Sequence, residues 1–230
     1  MSRTLAGLIE TIEAHDLAFR GAFHPRSEDG VPALADGTPA ETVLLVGFTG
    51  RMQWPAFEAS AEAGDGLPHP LDRYGQRQLH ALAVAFGGRA LSPSEGPPWW
   101  PFQRWAQRAE PVSVSPLGIL IHPDWGLWHS YRCALAFRER LELPAMPARA
   151  SPCTTCAEKP CLTTCPVSAF SNAGYDVAGC RSHIAAPAGS ECISGGCLAR
   201  VACPVGAGHR YAPAQAAFQD RKSTRLNSSH

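Results

Sequence analysis

Eight of the nine cysteines lie between residues 153 and 203, and their spacing restricts what this chain can fold into more than any other feature. Cys153 to Pro166 reads CTTCAEKPCLTTCP, a C-x2-C-x4-C-x3-C-P pattern. Cys180, Cys192, Cys197 and Cys203 follow more loosely, and Cys203 is again succeeded by a proline, Pro204. Eight thiols make two sets of four. Three thiolates close in sequence can face one iron-sulfur cube while the fourth is carried to a second, and a proline after that fourth cysteine is expected to open a helix. Zinc knuckles would account for the C-x2-C pair but give no reason for two Cys-Pro endings. Disulfides are the remaining alternative and suit an oxidising compartment. The ninth cysteine, Cys133, lies in an apolar stretch and reads as core packing.

Residues 1–16 bear on the compartment. Leu5, Leu8, Ile9 and Ile12 recur at helical spacing with Glu10 and Glu13 opposite, a pattern unlike a secretory segment. No apolar run approaches the roughly 20 residues needed to cross a bilayer. A cytoplasmic chain with reduced cysteines is therefore expected, which favours metal over disulfides. Twenty basic residues balance twenty acidic ones without a Lys/Arg run, so no electrostatic footprint for nucleic acid or an anionic membrane is evident.

Ahead of the cysteines the pattern predicts a strand at residues 17–24, then a polar loop from Pro25 to Gly30. A strand buried on both faces follows at residues 42–48 (TVLLVGF). A short helix is expected at residues 55–63 and a longer one at 71–86, stopped by Gly87 and Gly88. The proline-rich stretch 92–105, with Trp99, Trp100 and Trp105, reads as a covering loop. Residues 117–122, a turn at 123–126 and the alternating run 127–141 read as a hairpin. Together these make residues 1–147 an α+β domain, followed by a metal-binding domain at 148–219. The last eleven residues, Asp220 to His230 (DRKSTRLNSSH), match the translation of a common sequencing-library adapter. They are set aside as a non-native tail, and the natural chain is expected to continue differently past Gln219.

The segment from Cys153 to Gly206 resembles a bacterial two-cluster ferredoxin, although its first half has four residues where that family has two, and insertions spread its second half. The resemblance implies a ferredoxin-like module with two 4Fe-4S clusters and an electron-transfer function. It also implies crossed ligation, one cluster on Cys153, Cys156, Cys161 and Cys203 and the other on Cys180, Cys192, Cys197 and Cys165. An α+β domain ahead of such a module is also similar to epoxyqueuosine reductases and reductive dehalogenases. That second likeness implies a nitroreductase-like first domain holding a corrinoid, or a flavin in its place, and hence an iron-sulfur oxidoreductase. The partner is then a redox protein or a small-molecule acceptor. His122, Trp125, Trp128 and His129 gather in sequence around the expected turn and could line a planar cofactor, although turn aromatics more often pack over a small core. The GFTG at residues 47–50 lacks the spacing of a dinucleotide loop, and no catalytic residue is assignable.

Overall fold

The computed structural model describes residues 4–171 and 174–226 of the chain. It is an α+β protein built as two compact units, residues 1–111 with 129–148, and residues 112–128 with 149–230. Its strands are β1 (Ala18–Phe23), β2 (Thr42–Thr49), β3 (Arg89–Leu91), β4 (Ser113–Val114), β5 (Leu120–Ile121), β6 (His129–Phe137), β7 (Phe170–Ser171) and β8 (Gly174–Tyr175). Among the described residues no helix is long and apolar enough to cross a membrane.

The first unit is organised around a four-stranded sheet in the order β1-β2-β6-β3, antiparallel throughout. The expected double burial of β2 holds, since all eight of its residues are buried. That requires cover on both faces. The helix Pro70–Phe86 packs on β6, and the helix Phe102–Ala109 packs on β1 and β2. The first of these presents Leu71, Tyr74, Leu79, Leu82 and Phe86 to the core and stops at Gly87, whose φ of 59° is left-handed. The N-terminal helix, Leu5–Ala14, buries Leu8 and Ile12 as its periodicity requires. Phe48 and Phe57 both set their rings edge-on to Tyr74. The short helix expected at 55–63 forms as two pieces, Trp54–Glu58 and Ala61–Gly64.

Two expectations are corrected here. Residues 92–105 are not loop throughout, because Phe102 opens a helix that runs to Ala109. Phe102, Trp105, Ala106 and Ala109 are its buried face, an i, i+3, i+4, i+7 series that outweighs the prolines before it. The hairpin at 117–141 does not form either. β6 is paired on one edge by β2 and on the other by β3, which leaves no edge for residues 117–122. Those residues pair with β4 instead, and only the bridge between His122 and Gly126 closes the expected turn.

In the second unit the core is Leu117, Ile121, Leu127, Cys161, Ala199 and Cys203. A smaller group holds Trp128, Tyr211 and Ala216. Arg200 ties the two together. Its guanidinium lies 4.9 Å from the Trp128 ring and 4.7 Å from the Tyr211 ring, and it donates to the Leu127 carbonyl at 2.6 Å. The segment 112–128, placed with the first domain on sequence, thus clusters with the cysteine region. Gly126 and Gly206 meet there back to back, both with positive φ (58° and 66°). A Cβ on Gly126 would stand 2.0 Å from the Val205 carbonyl oxygen, and one on Gly206 would stand 2.4 Å from the Trp125 carbonyl carbon. The helix Pro213–Leu226 extends through residues 220–226 of the segment set aside as a tail, and residues 227–230 lie outside the described residues.

Candidate metal centre

All nine cysteines carry free thiols. Cys133 stands apart, fully buried on β6 in the first unit, where desolvation pushes its thiol up to about 12. The other eight belong to the second unit.

Short helices carry several of these eight. Pro152 and Pro160 occupy first helical positions, where a missing N–H costs nothing, and each is followed by a cysteine. The Ser151 hydroxyl caps the first of these helices by accepting from the Cys153 N–H at 3.4 Å. Cys180 lies within Val177–Ala185, a helix capped by the Asp176 carboxylate, which accepts from the Gly179 N–H at 2.9 Å. Cys192 lies within Ser190–Ser194, and Cys197 is the N-cap of Leu198–Val201. The helices expected to start at Pro166 and Pro204 are absent: Pro166 lies in a turn, and Pro204 precedes the turn at Val205 and Gly206. Where proline opens a helix beside one of these cysteines, at Pro152 and Pro160, it stands one residue before the cysteine rather than one residue after.

Cys161 and Cys203 belong to the core of this unit, and Cys153, Cys165 and Cys197 pack against it. Burial raises Cys153, a hydrogen bond with Ser151 opposes that rise, and negative charge on Cys203 or Cys156 adds to it. Burial also raises Cys161, with further upward pushes from Cys203, Cys153 and Cys156. Cys203 is raised by burial, lowered by the backbone N–H of Val205 and raised again by Cys156. Cys153, Cys156, Cys161 and Cys203 thus fall within electrostatic reach of one another, although Cys203 is remote from the others in sequence. Cys192 is raised by burial, eased by the Leu198 backbone N–H, and raised by Cys180 and Cys165. The Tyr175 hydroxyl is raised by burial and by a hydrogen bond with Cys180, and feels Cys197 and Cys165 as well. Cys165 and Cys180 thus lie within electrostatic reach of Cys192, and the Cys165 sulfur accepts from the Ala169 N–H at 3.3 Å. Among the described residues no group of three or more His, Cys, Asp or Glu side chains is gathered as the ligands of a metal ion.

The four turn residues that could have lined a planar cofactor are divided. His129 is in the first unit, and His122, Trp125 and Trp128 are in the second. His122 has a local task, its Nδ1 accepting from the backbone N–H groups of Asp124 (3.0 Å) and Trp125 (3.3 Å). Trp125 sets its ring edge-on to His209, and Trp128 does so to Tyr211. Of the three loop tryptophans, Trp105 is buried and donates to the Asp29 carbonyl at 2.7 Å, Trp100 stacks on it, and Trp99 is exposed.

Sequence reasoning did not pick out a buried polar network in the first unit. Arg20 is wholly buried, donates through Nε (2.9 Å) and Nη2 (2.8 Å) to Glu110, and bonds the Phe48 carbonyl at 2.9 Å. Its Nη2 also lies 3.2 Å from His129 Nδ1. Tyr131 donates to Glu110 at 2.7 Å, and burial followed by the Glu110 charge holds its phenol well above the usual range. The available signal was a lone arginine in an otherwise apolar strand, AFRGAF.

No family model matches this sequence, and no curated protein does. Among solved structures it is similar to an epoxyqueuosine reductase crystallised with an epoxyqueuosine-modified tRNA-Tyr stem loop, at 16% identity and a TM-score of 0.48. The match covers 90% of this chain and 66% of the other, so this chain spans just under two thirds of that reductase chain.

Proposed function

We propose that this chain is an iron-sulfur electron-transfer protein with two 4Fe-4S clusters, one held by Cys153, Cys156, Cys161 and Cys203, the other by Cys165, Cys180, Cys192 and Cys197. The observation that supports it is the gathering of eight cysteines, none in a disulfide, in the second unit, with Cys153, Cys165 and Cys197 packed against the core that holds Cys161 and Cys203, and Cys180 and Cys165 within electrostatic reach of Cys192. The donor chemistry fits: soft thiolates are the ligands of iron-sulfur cubes. Around one zinc ion, with zinc-sulfur bonds of about 2.3 Å, four thiolates would have to converge on a single point, whereas a cube takes one thiolate at each of four corners. Such clusters supply one-electron storage and transfer when bound.

The residues of the chain prepare the thiolates. Burial pushes the thiols of Cys153, Cys161, Cys192 and Cys203 up, and the N–H groups of Val205 and Leu198 and the Ser151 hydroxyl act the other way at three of them. Leu117, Ile121 and Leu127 pack beside Cys161 and Cys203 and keep water from that side.

Anaerobic reconstitution should load about eight irons and eight sulfides per chain. Stoichiometric zinc, or about four irons, refutes the reading. Cys165→Ser should damage the same electron paramagnetic resonance signal as Cys192→Ser and spare the one lost in Cys156→Ser. Matching damage in Cys165→Ser and Cys156→Ser would mean sequence-local clusters. The absorption spectrum of the same sample separates this function from a reductase, which would add corrinoid or flavin bands to the cluster absorbance.

A further inference from the structure

An open pocket of about 410 Å³ lies at the end of β1 in the first unit. His24, Arg26, Arg108, Arg140, Leu143 and Met146 are among the residues that line it, and among the described residues none of the lining side chains is a carboxylate. The walls are fastened to the sheet. His24 Nε2 donates to the Leu141 carbonyl at 3.0 Å, while the Thr42 hydroxyl accepts from the Leu141 N–H at 3.0 Å and donates to the Glu139 carbonyl at 2.7 Å. Arg108, in the last turn of the helix Phe102–Ala109, is also fixed. Its Nη1 donates to both oxygens of the buried Asp29 carboxylate at 3.0 and 2.8 Å, its Nη2 donates to the His24 carbonyl at 3.2 Å, and its guanidinium lies 5.5 Å from the Phe23 ring. Those bonds leave its Nε–H and one Nη2–H unclaimed among the described residues. Arg26 and Arg140 are held loosely by contrast. Arg26 stands 3.9 Å from Glu28 and Arg140 stands 3.4 Å from Glu41, and the two arginines are 67% and 62% exposed. Exposed pairs of this kind contribute little, so either guanidinium can exchange its carboxylate for a better anion.

We propose that this pocket binds a small organic phosphate, a phosphate monoester with an apolar body. The charge of the lining selects the head of the ligand. A phosphate monoester carries between about one and a half and two negative charges at pH 7 and offers three acceptor oxygens, which suits one fixed guanidinium and two movable ones better than a single carboxylate does. Arginine is also the side chain whose planar fork matches phosphate. The size and the remaining lining select the body. A volume of about 410 Å³ falls in the range of small-molecule sites and exceeds what inorganic phosphate fills. Leu143 and Met146 supply apolar surface beside the arginines, and Met146 is 48% exposed, so a ligand that covers it removes apolar area from water. The site lies wholly within the first unit and needs no cluster, so it stands apart from the function proposed above.

The test is calorimetric titration of the full chain with phenyl phosphate, with inorganic phosphate and phenol as the head and the body alone. Phenyl phosphate should bind with a Kd of about 1 mM or tighter, and each half should bind at least about tenfold more weakly. An Arg26→Gln, Arg140→Gln double variant, altered only at exposed side chains, should weaken phenyl phosphate at least about tenfold. Arg138→Gln is the control, since Arg138 is 62% exposed and ion-paired with Asp36 but is not in the lining. It should leave the affinity unchanged, and added salt should weaken binding to the wild type. Four results overturn the proposal: no heat from phenyl phosphate, equal affinity in the wild type and the double variant, an equal loss in Arg138→Gln, or inorganic phosphate or phenol binding as tightly as the ester.

Discussion

Replacing Gly126 by alanine should be the most damaging single-methyl change in the second unit. Two costs add. At φ 58° the backbone is left-handed, which disfavours a residue with a Cβ by about 1–2 kcal/mol. The new methyl would also stand 2.0 Å from the Val205 carbonyl oxygen and 2.7 Å from its carbon, backbone atoms that no rotamer change can move. Forcing them apart costs about 1–3 kcal/mol on the scale of overpacked cores. Gly118→Ala is the internal control: Gly118 has a φ of 75°, but a Cβ there would meet nothing within 4 Å, so it should show the conformational cost alone. The excess of about 1–3 kcal/mol converts, at about 2–4 °C per kcal/mol for a chain of this size, to a melting temperature about 2–12 °C below that of Gly118→Ala. Circular dichroism melts of the two variants, measured side by side, test this. Displacing Val205 also disturbs the backbone beside Cys203, so, if the proposed function holds, the reconstituted variant should release iron sooner on mild heating. Equal melting of the two variants would refute the back-to-back contact.

Three further outcomes are expected. Glu110→Ala strands the buried Arg20 guanidinium without a carboxylate and should cost about 3–5 kcal/mol in urea denaturation, whereas an Arg20→Met, Glu110→Leu double variant should recover much of the loss. Cys133, with its thiol pushed up to about 12 and no exposed surface, should be the last of the nine cysteines to take up a maleimide at pH 8 in chelator-treated protein, as mapped by mass spectrometry; early labelling would contradict its burial. The Arg77 guanidinium, by hydrogen bonding first and charge second, holds the Glu62 carboxyl at about 2 against an ordinary 4.5. A depressed carboxylate gives stability that is complete above about pH 4.5 and is lost as pH falls through about 2. Arg77 is 54% exposed, so solvent screening limits the pair to about 1 kcal/mol, and Arg77→Gln should remove that share of the acid sensitivity in melts between pH 5 and 3.

What the sequence made legible follows how local each cause is. The run TVLLVGF had to be a strand covered on both faces, and β2 is that strand. The helix Pro70–Phe86 was visible in its periodicity and its glycine stop. Local pattern misled where two readings of the same residues competed. Alternation in 127–141 looked like half of a hairpin, because a strand paired on both edges and a strand paired on one share a two-residue repeat. The prolines of 92–101 hid a helix whose apolar face begins only at Phe102. In the candidate site, spacing singled out the eight cysteines, whereas their division into two sets of four came only from likeness to ferredoxins. Nothing in the sequence announced Arg20 with Glu110, or Gly126 with Gly206, because each is a meeting of residues about 80–90 positions apart that tertiary structure alone creates.

The chain enters and leaves its two units more than once: residues 112–128 belong with the cysteine unit, residues 129–148 return to the sheet, and residue 149 goes back. The cysteine unit is accordingly not a cassette. A fragment cut at residue 148 would carry all eight clustered cysteines yet lack Leu117, Ile121 and Leu127, three of the four buried residues that form the core with Cys161 and Cys203, together with the Gly126 turn that Gly206 meets. During synthesis the same interleaving imposes an order. The central strand β6 is made before any clustered cysteine, so the sheet of the first unit can close early, while residues 112–128 must wait for the rest of their own core to emerge.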